Sequence, residues 1–446
     1  MASRENHTTP ALKKSLPKRL RHKTCPTSFR GKPLRLLVYE YSSGGGFAEK
    51  PIPPSILSEG FGMLRTITED AKVAGHKVTN ILDSRIAHFN PPLENEKILL
   101  VDSWRETENA IQEAAEKTDA AYVIAPETDD ILKMLVKKIE KGKTMSLNSN
   151  SKAIAKVSNK TRLQKQAKKI GLSTPETLTF KTTDNQENII QELEKKIGFR
   201  AVFKPVNSVG CGELSCVNSK AQVVIAIAKI ANQSNSRFII QELVRGQPAS
   251  VTIISDGTNA VPISLNKQNV SLRNPKQDST YNGGTTPFDH PQNGKAFATA
   301  KRLVESIEGL RGYVGVDLIL TKKEPSVIEI NPRLTTSYIG IRKILNINLA
   351  QTLIDSTLNH KLPTKQKTSG FAVFAKVKIK NPTTKLLDET FEMPEMVAPP
   401  FPNLHGNTTY ALICAQAKTL QQAKWTLSNA KKQLHNSIYK GGKHER

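Results

Sequence analysis

The sequence predicts an α/β and α+β architecture, in which a parallel α/β domain leads into paired antiparallel strands; three patterns carry that reading. From residue 34 to 150, short apolar runs alternate with helix-length amphipathic stretches, the pattern of a small parallel sheet with helices on both faces. From 151 to 362, apolar runs come in pairs joined by polar or glycine-containing turns, as neighbouring antiparallel strands do. From 363 to 446, two alternating strands and a terminal helix make a smaller β-rich module.

Residues 1–33 precede these elements and hold nine Lys or Arg against one acid, with Pro10, Pro17, Pro26 and Pro33 interrupting any helix. The segment reads as a disordered basic tail. It lacks a long apolar core, so it is not a secretory signal, and a transit-type peptide is the alternative. The formal charge of +25 raises the question of nucleic acid. Aromatic residues make up only 5%, however, and the remaining basic excess is scattered as K-K and K-x-K pairs, so a nucleic-acid surface is not expected. No run approaches about eighteen apolar residues, so no membrane span is expected. Cys25, Cys211, Cys216 and Cys414 show neither C-x-x-C nor paired-histidine spacing, which argues against zinc and disulfides and for a reducing cytoplasm.

The first strand, L-R-L-L-V-Y-E-Y, runs from Leu34 into S-S-G-G-G-F, where either a close backbone approach to a ligand or a plain turn would suit three glycines. An apolar-periodic helix beginning near Ser55 ends at Gly75 and is followed by a strand over Val78–Leu82. Ser58 and Glu59 serve the start of that helix or face a ligand. A-A-Y-V-I-A-P-E-T-D-D-I-L repeats the strand–loop–helix grammar, with Glu127 at the strand end and Thr128 or Asp129 as the cap.

Beyond residue 150, Lys160 opens a helix followed by G-L-S-T-P-E-T. V-F-K-P-V-N-S-V-G-C-G-E-L-S-C-V then puts Lys204 at a strand end before a loop with Gly210 and Gly212. A strand lysine can meet phosphate as a point charge, and a glycine loop lets backbone N–H groups approach phosphate oxygens. The spacing is not that of a P-loop. F-I-I-Q-E-L-V-R-G-Q-P-A-S-V-T-I-I-S-D-G is a strand, an elbow and a second strand. Next, P-I-S-L-N-K-Q-N-V-S-L-R-N-P-K-Q-D-S-T-Y-N-G-G-T-T-P-F-D-H is long and polar enough for a binding loop. Its candidates for positioning a substrate carboxylate or amine are Asn266, Asn269, Tyr281, Gly283 and Gly284, with an ordered surface hairpin as the alternative. Nothing pairs His290 with a nucleophile, and it reads as structural.

The densest cluster of chemistry is G-V-D-L-I-L-T-K-K-E-P-S-V-I-E-I-N-P-R, Gly315 to Arg333. Two apolar runs flank a polar tip. Asp317 lies on the first strand; Glu329 and Asn331, two apart on the second, point the same way, as does Arg333 if the chain stays extended. Three hard oxygen donors between apolar residues would be costly to bury without a cation. Magnesium held by substrate phosphates or an exposed hairpin face would each account for them.

The order of these motifs, ending in E-I-N-P-R, resembles the ATP-grasp superfamily over about residues 151–362. The resemblance implies two α+β subdomains gripping ATP, with the 34–150 segment as a pre-ATP-grasp domain. It implies that Lys160, Lys204 and the loop with Gly210 and Gly212 meet phosphates. Gln241, Glu242, Leu243 and Val244 would hold adenine, mainly through the backbone of Glu242 and Val244. Asp317, Glu329 and Asn331 would carry two Mg2+ (or Mn2+) ions with Glu329 bridging, and Arg333 would act with Lys204 in catalysis, steadying the transferred group. Many relatives hold the ribose with a glutamate after the elbow; here Gln247 stands there. The implied reaction is ATP-dependent amide formation between a small carboxylate and an amine through an acyl phosphate, giving ADP and phosphate. Loop 207–213 is expected to close over the phosphates.

V-Y-E-Y-S-S-G-G-G-F, L-S-E-G-F-G-M-L and I-A-P-E-T-D-D-I-L are similar to the archaeal tyramine–glutamate ligase branch, which works in methanofuran synthesis. The expected substrates are therefore glutamate and an amine such as tyramine, and a homodimer is compatible with the sequence. Two alternatives stay open at this stage. One is an ATP-grasp ligase for another amino acid, peptide or carrier; the other is a non-catalytic ATP-fold protein contacting nucleic acid through its tail.

Overall fold

The computed structural model describes residues 31–206, 212–232, 236–364, 366–380, 384–402 and 406–441. The expected basic tail thus lies, but for its last three residues, outside the described residues. Strands and helices alternate first: β1 (Arg35–Glu40), α1 (Pro54–Val73), β2 (Lys77–Asp83), α2 (Ser84–Ala87), β3 (Lys97–Val101), α3 (Trp104–Glu116), β4 (Ala120–Ile124), α4 (Ile131–Lys141) and β5 (Met145–Ser146). The five strands are parallel in the order β3-β2-β1-β4-β5. Leu37, Tyr39, Ala121 and Val123 pack on α3 and α4. Asn80 donates to Thr68 of α1 across the opposite face. Because the strand order reverses between β1 and β4, a crevice forms outside their carboxyl ends.

Two expectations about caps change. Helix α1 begins on Pro54, whose fixed φ suits a first turn, and no side chain caps it. Ser58 instead donates to the Ser55 carbonyl within the helix, and Glu59 reaches across to other elements. Ahead of α4, neither Thr128 nor Asp129 caps. Asp129 and Asp130 have positive φ (52° and 61°), a left-handed entry at odds with the extended backbone of a capping residue.

The chain continues through α5 (Ser151–Ser158) and α6 (Lys160–Lys169), separated by the extended Asn159, which accepts from the Arg162 amide and so starts α6 at the lysine. β6 (Thr177–Lys181), α7 (Gln186–Lys196), β7 (Ala201–Pro205), β8 (Ser215–Val217), α8 (Lys220–Ala231) and β9 (Arg237–Glu242) follow. They make an antiparallel sheet, β6-β9-β7-β8, with α7 and α8 on its apolar face.

Next come β10 (Gln247–Asp256), β11 (Ala260–Ser271), β12 (Thr280–Thr286), α9 (Asn293–Glu305), β13 (Arg311–Leu320), β14 (Pro325–Asn331), α10 (Tyr338–Ile344) and α11 (Leu349–Leu358). The last elements are β15 (Phe371–Lys380), α12 (Thr384–Phe391), β16 (Met396–Ala398), β17 (Thr408–Ala417) and α13 (Leu420–Gly441). Their strands form one eight-stranded sheet, β14-β13-β10-β11-β12-β15-β17-β16. The expected break near residue 362 is therefore crossed by a continuous sheet, because β15 pairs with β12. Residues 396–398 form the short edge strand β16, and Pro399 and Pro400 stop it. One face of this sheet packs on α5, α6, α9 and α13. The other face is apolar under α1 and α10 at the β17 end and acidic at the β14 end. Among the described residues no helix is long and apolar enough to cross a membrane.

Candidate active site

The acidic end is built by strand register. Asp317 pairs with Glu329 and Gly315 with Asn331 across β13 and β14, and a bulge after Asp317 lets Val327 and Ile330 both reach the core. Asn331 Nδ2 donates to Asp317 Oδ2 at 3.1 Å, and Gln268 Nε2 donates to Oδ1 at 2.9 Å. Burial and the facing Glu329 carboxylate push the Asp317 carboxyl up to about 8. Burial pushes Glu329 up as well, but the ammonium groups of Lys160 and Lys204 outweigh it and hold Glu329 below the ordinary range. The two carboxylates behave as one site that keeps a proton where a cation would fit.

Two lysines converge on that site, one from helix α6 and one from the smaller sheet. Lys160, the first residue of α6, places Nζ 3.7 Å from Glu329 Oε2, and its amide donates to the Val206 carbonyl just past β7. Lys204, on β7, is buried. A divalent cation is compatible with this donor set, which is all oxygen, partly buried and doubly acidic. Among the described residues no group of three or more His, Cys, Asp or Glu could hold a metal, so further ligands must come from phosphate or water.

Arg333 turns toward the crevice of the parallel sheet. Its Nη2 and Nε donate to Glu127 Oε2 at 3.0 and 3.3 Å, while Glu127 Oε1 is buried without a hydrogen-bond partner. Glu329 still acts on Arg333 electrostatically, so the guanidinium stands between the two acidic groups. At the end of β1, Glu40 accepts from both amides and both hydroxyls of Ser42 and Ser43. Burial raises its carboxyl above the ordinary value, and those hydrogen bonds pull against it. A Cβ on Gly60 would lie 2.2 Å from Ser42 Oγ, so α1 approaches this loop only because that residue is glycine.

The other expected residues are distributed unevenly. Gln241 is buried and donates to Thr177, the Glu242 amide donates to the Glu176 carbonyl, and the Leu243 amide donates to the Arg200 carbonyl. Leu243, Val244 and Gln247 are half-buried around the elbow. Gly210 lies outside the described residues, as do residues 207–211 of the expected closing loop; Gly212 is exposed. Asn266 is fully engaged within the sheet, donating to Ser250 and Thr252 and accepting from Thr286. Asn269 is exposed, at the register shift between Gln268 and Val270. Tyr281 is half-buried under Lys376. Gly283 and Gly284 lie under β15, where an added Cβ would meet the Phe374 carbonyl at 2.1 Å and the Lys267 carbonyl at 2.5 Å, respectively. His290 accepts from the Gln292 amide.

Gln268 and Lys376 escaped the sequence reading. Gln268 could have been found as the residue two beyond Asn266, hence on its face. Lys376 follows the buried Phe374 by two on one strand face, where a lysine among apolar neighbours is the signal.

Two lysines and an oxygen cluster between antiparallel sheets, beside the crevice of a parallel sheet, define a nucleotide-dependent phosphoryl-transfer enzyme. Residues 157–337 match the ATP-grasp domain, and residues 76–154 match the pre ATP-grasp 3 domain. The chain is 31% identical over 340 residues to the tyramine–L-glutamate ligase of Methanocaldococcus jannaschii, covering 76% of this chain and 94% of that protein. An N5-carboxyaminoimidazole ribonucleotide synthetase bound to ADP has a similar structure, with a TM-score of 0.64, 18% identity and coverage of 92% of this chain and 98% of that one. The biotin carboxylase domain of the Hydrogenobacter thermophilus 2-oxoglutarate carboxylase, bound to MgADP, gives a TM-score of 0.67 at 12% identity, covering 90% of each chain. The chain belongs to the ATP-grasp ligase family that includes the archaeal tyramine–L-glutamate ligases. It is an ATP-grasp carbon–nitrogen ligase.

Proposed function

We propose that this ligase couples glutamate to an amine such as tyramine, the pair named for its archaeal relatives. The observation that carries the site assignment is Lys160 at 3.7 Å from Glu329, the register partner of Asp317. In this reading the triphosphate lies between Lys160 and Lys204, and the adenine meets the backbone of Glu242 and Val244, with the ribose toward Gln247. Asp317, Glu329 and Asn331 would hold Mg2+ or Mn2+, two ions in this reading. Such ions, when bound, neutralise phosphate charge.

A carboxylate is a poor electrophile, so activation comes first. A carboxylate oxygen attacks the γ-phosphorus as the bond to the β-phosphate oxygen breaks, giving acyl phosphate and ADP. The amine nitrogen then attacks the acyl carbon, its proton passes to solvent, and phosphate departs with the bonding pair. The protein's part is positioning and charge: the lysines draw the phosphates in, and Arg333, steadied by Glu127, meets charge on the reacting group. The assembly we expect is a homodimer, to be read by sedimentation equilibrium.

The test is phosphate release from ATP with L-glutamate and a panel of amines. We expect release that requires both glutamate and amine, with tyramine among the active amines. Release with other acids but not glutamate would reassign the substrate, and no amine-dependent release with any pair would reject the reading.

A further inference from the structure

The inner face of the eight-stranded sheet also carries a buried ammonium, apart from the acidic cluster. Lys376, on β15, has a side chain only 7% exposed, and its Nζ donates to Glu59 Oε1 at 2.5 Å. The same ammonium donates to Ser55 Oγ at 2.8 Å and stands 5.9 Å from the centroid of the Tyr281 ring. Glu59, 23% exposed, accepts from Thr336 Oγ1 through its other oxygen at 2.8 Å. The group joins α1, β12, β15 and the loop after β14, which no nearby sequence connects.

A charge pair makes poor mortar for such a joint. Around it lie Leu57, Phe61, Phe374 and Leu412, and apolar side chains would fasten the same surfaces without the desolvation penalty of two ions. The pair also stands beside the reaction site. Gly60, next to Glu59, abuts Ser42 and Glu40 at the end of β1. Thr336 follows Arg333 by three residues, a span of at most about 10 Å.

We propose that Glu59 and Lys376 form the recognition site for the zwitterionic end of an α-amino-acid substrate, Lys376 taking its α-carboxylate and Glu59 its α-ammonium. This rests on the reading of the protein as an amino-acid ligase and names the residues that select that class. Without ligand the two side chains satisfy each other, with Ser55 and Thr336 completing the shell. An entering amino acid exchanges one internal ion pair for two, so the charges stay neutralised throughout. Tyr281 gives the ammonium of Lys376 an aromatic face and limits its swing.

The experiment is equilibrium binding of L-glutamate to the full chain in the presence of MgADP, with MgADP affinity as the control for folding. For Lys376→Met and Glu59→Gln we expect glutamate affinity to fall about 100-fold, the loss of one charged hydrogen-bonding partner, with MgADP affinity within about twofold of wild type. Glutarate, which lacks the α-ammonium, and γ-aminobutyrate, which lacks the α-carboxylate, should each bind the wild type at least about 10-fold more weakly than glutamate. Glu59→Gln should weaken γ-aminobutyrate and leave glutarate unchanged. If the variants hold glutamate within about threefold of wild type, the pair is only a clamp and the proposal falls. It falls equally if the wild type binds none of the twenty amino acids, or binds the two analogues as well as glutamate. Binding that persists without phosphate release would instead sink the ligase reading and leave this one standing.

Discussion

On the β13–β14 hairpin the oxygen-bearing groups of the nucleotide half come from neighbouring chain: Asp317 and Asn331, which hydrogen-bond, are 14 positions apart. In the crevice half, Arg333 reaches Glu127 across 206 positions and Lys376 reaches Glu59 across 317. The hairpin half holds two facing carboxylates whose repulsion is relieved by lysines from helix α6 and strand β7. The crevice half holds opposite charges already matched, each pair bridging parts of the chain far apart in sequence. A site for a highly charged ligand of fixed chemistry can be written into one supersecondary unit. A site that must suit a particular acid or amine is assembled from several, so that any one of them can change.

The largest expected effect breaks the hairpin half alone. Glu329→Gln should leave a folded protein whose turnover falls at least about a hundredfold, on the order of 3 kcal/mol of lost charge stabilisation. Lys204→Ala and Asn331→Asp should act in the same direction. Single-turnover ADP formation, with circular dichroism as the folding check, measures this. Unchanged turnover in all three variants would remove Glu329, Lys204 and Asn331 from the mechanism.

A smaller effect is expected across the boundary between the halves. Glu127→Gln keeps the shape beside Arg333 and removes the charge that holds the guanidinium, so kcat should drop about tenfold while the KM for ATP stays within about twofold, the loss of one charge-assisted hydrogen bond. If the KM for ATP rises instead, Arg333 and Glu127 belong to the nucleotide half and the division drawn here is misplaced.

The same contrast explains what could be read from sequence. Glu329 and Asn331 could be read onto one face because strand alternation fixes it whatever surrounds them, whereas Asp317 joins them only through the β13–β14 register. Lys160 could be read as opening a helix, and Asn159 supplies the local reason by accepting from the Arg162 amide. Glu59 looked like part of a helix start and Lys376 like one of three alternating lysines, because their partner lies on the other element and only the packing of α1 on β15 brings them together. The glycines Gly283 and Gly284 read as a ligand loop. Their requirement is the nearness of β15, which strand order alone reveals. The continuity of the sheet across residue 362 was hidden likewise, since β12 and β15 are separated in sequence by two strands, and nothing in either states that they pair.

A third change addresses the crevice without touching a charge. In a helix interior Gly→Ala ordinarily stabilises by about 1 kcal/mol. At Gly60 the new methyl would lie 2.2 Å from Ser42 Oγ and 2.4 Å from Glu40 Oε1, so Gly60→Ala should destabilise instead, by about 1–3 kcal/mol. Urea unfolding gives the sign directly. A stabilised variant would mean that α1 can move away from the β1 loop and that the crevice is not held by this contact.

The mildest test concerns the carboxylate pair without its cation. Asp317 is held up to about 8 in the folded protein, whereas an unfolded aspartate titrates near its ordinary value of 3.8. Between those values the folded state keeps a proton that the unfolded state gives up, so this group's contribution to stability falls as pH rises through the window and levels off above it. Glu329, held below its ordinary value, contributes the opposite slope, but only below about pH 4.5, where its unfolded form begins to take up protons. Thermal melts in chelator should therefore decline from pH 5.5 to 8 for the wild type and more weakly for Asp317→Asn, which cannot ionise. Added Mg2+ with ATP should reduce the difference, because a cation takes the place of the proton and the pair need no longer stay protonated. Parallel melting profiles for the two proteins in chelator would mean that Asp317 is ionised without metal, and that the lysines alone relieve the repulsion between the facing carboxylates.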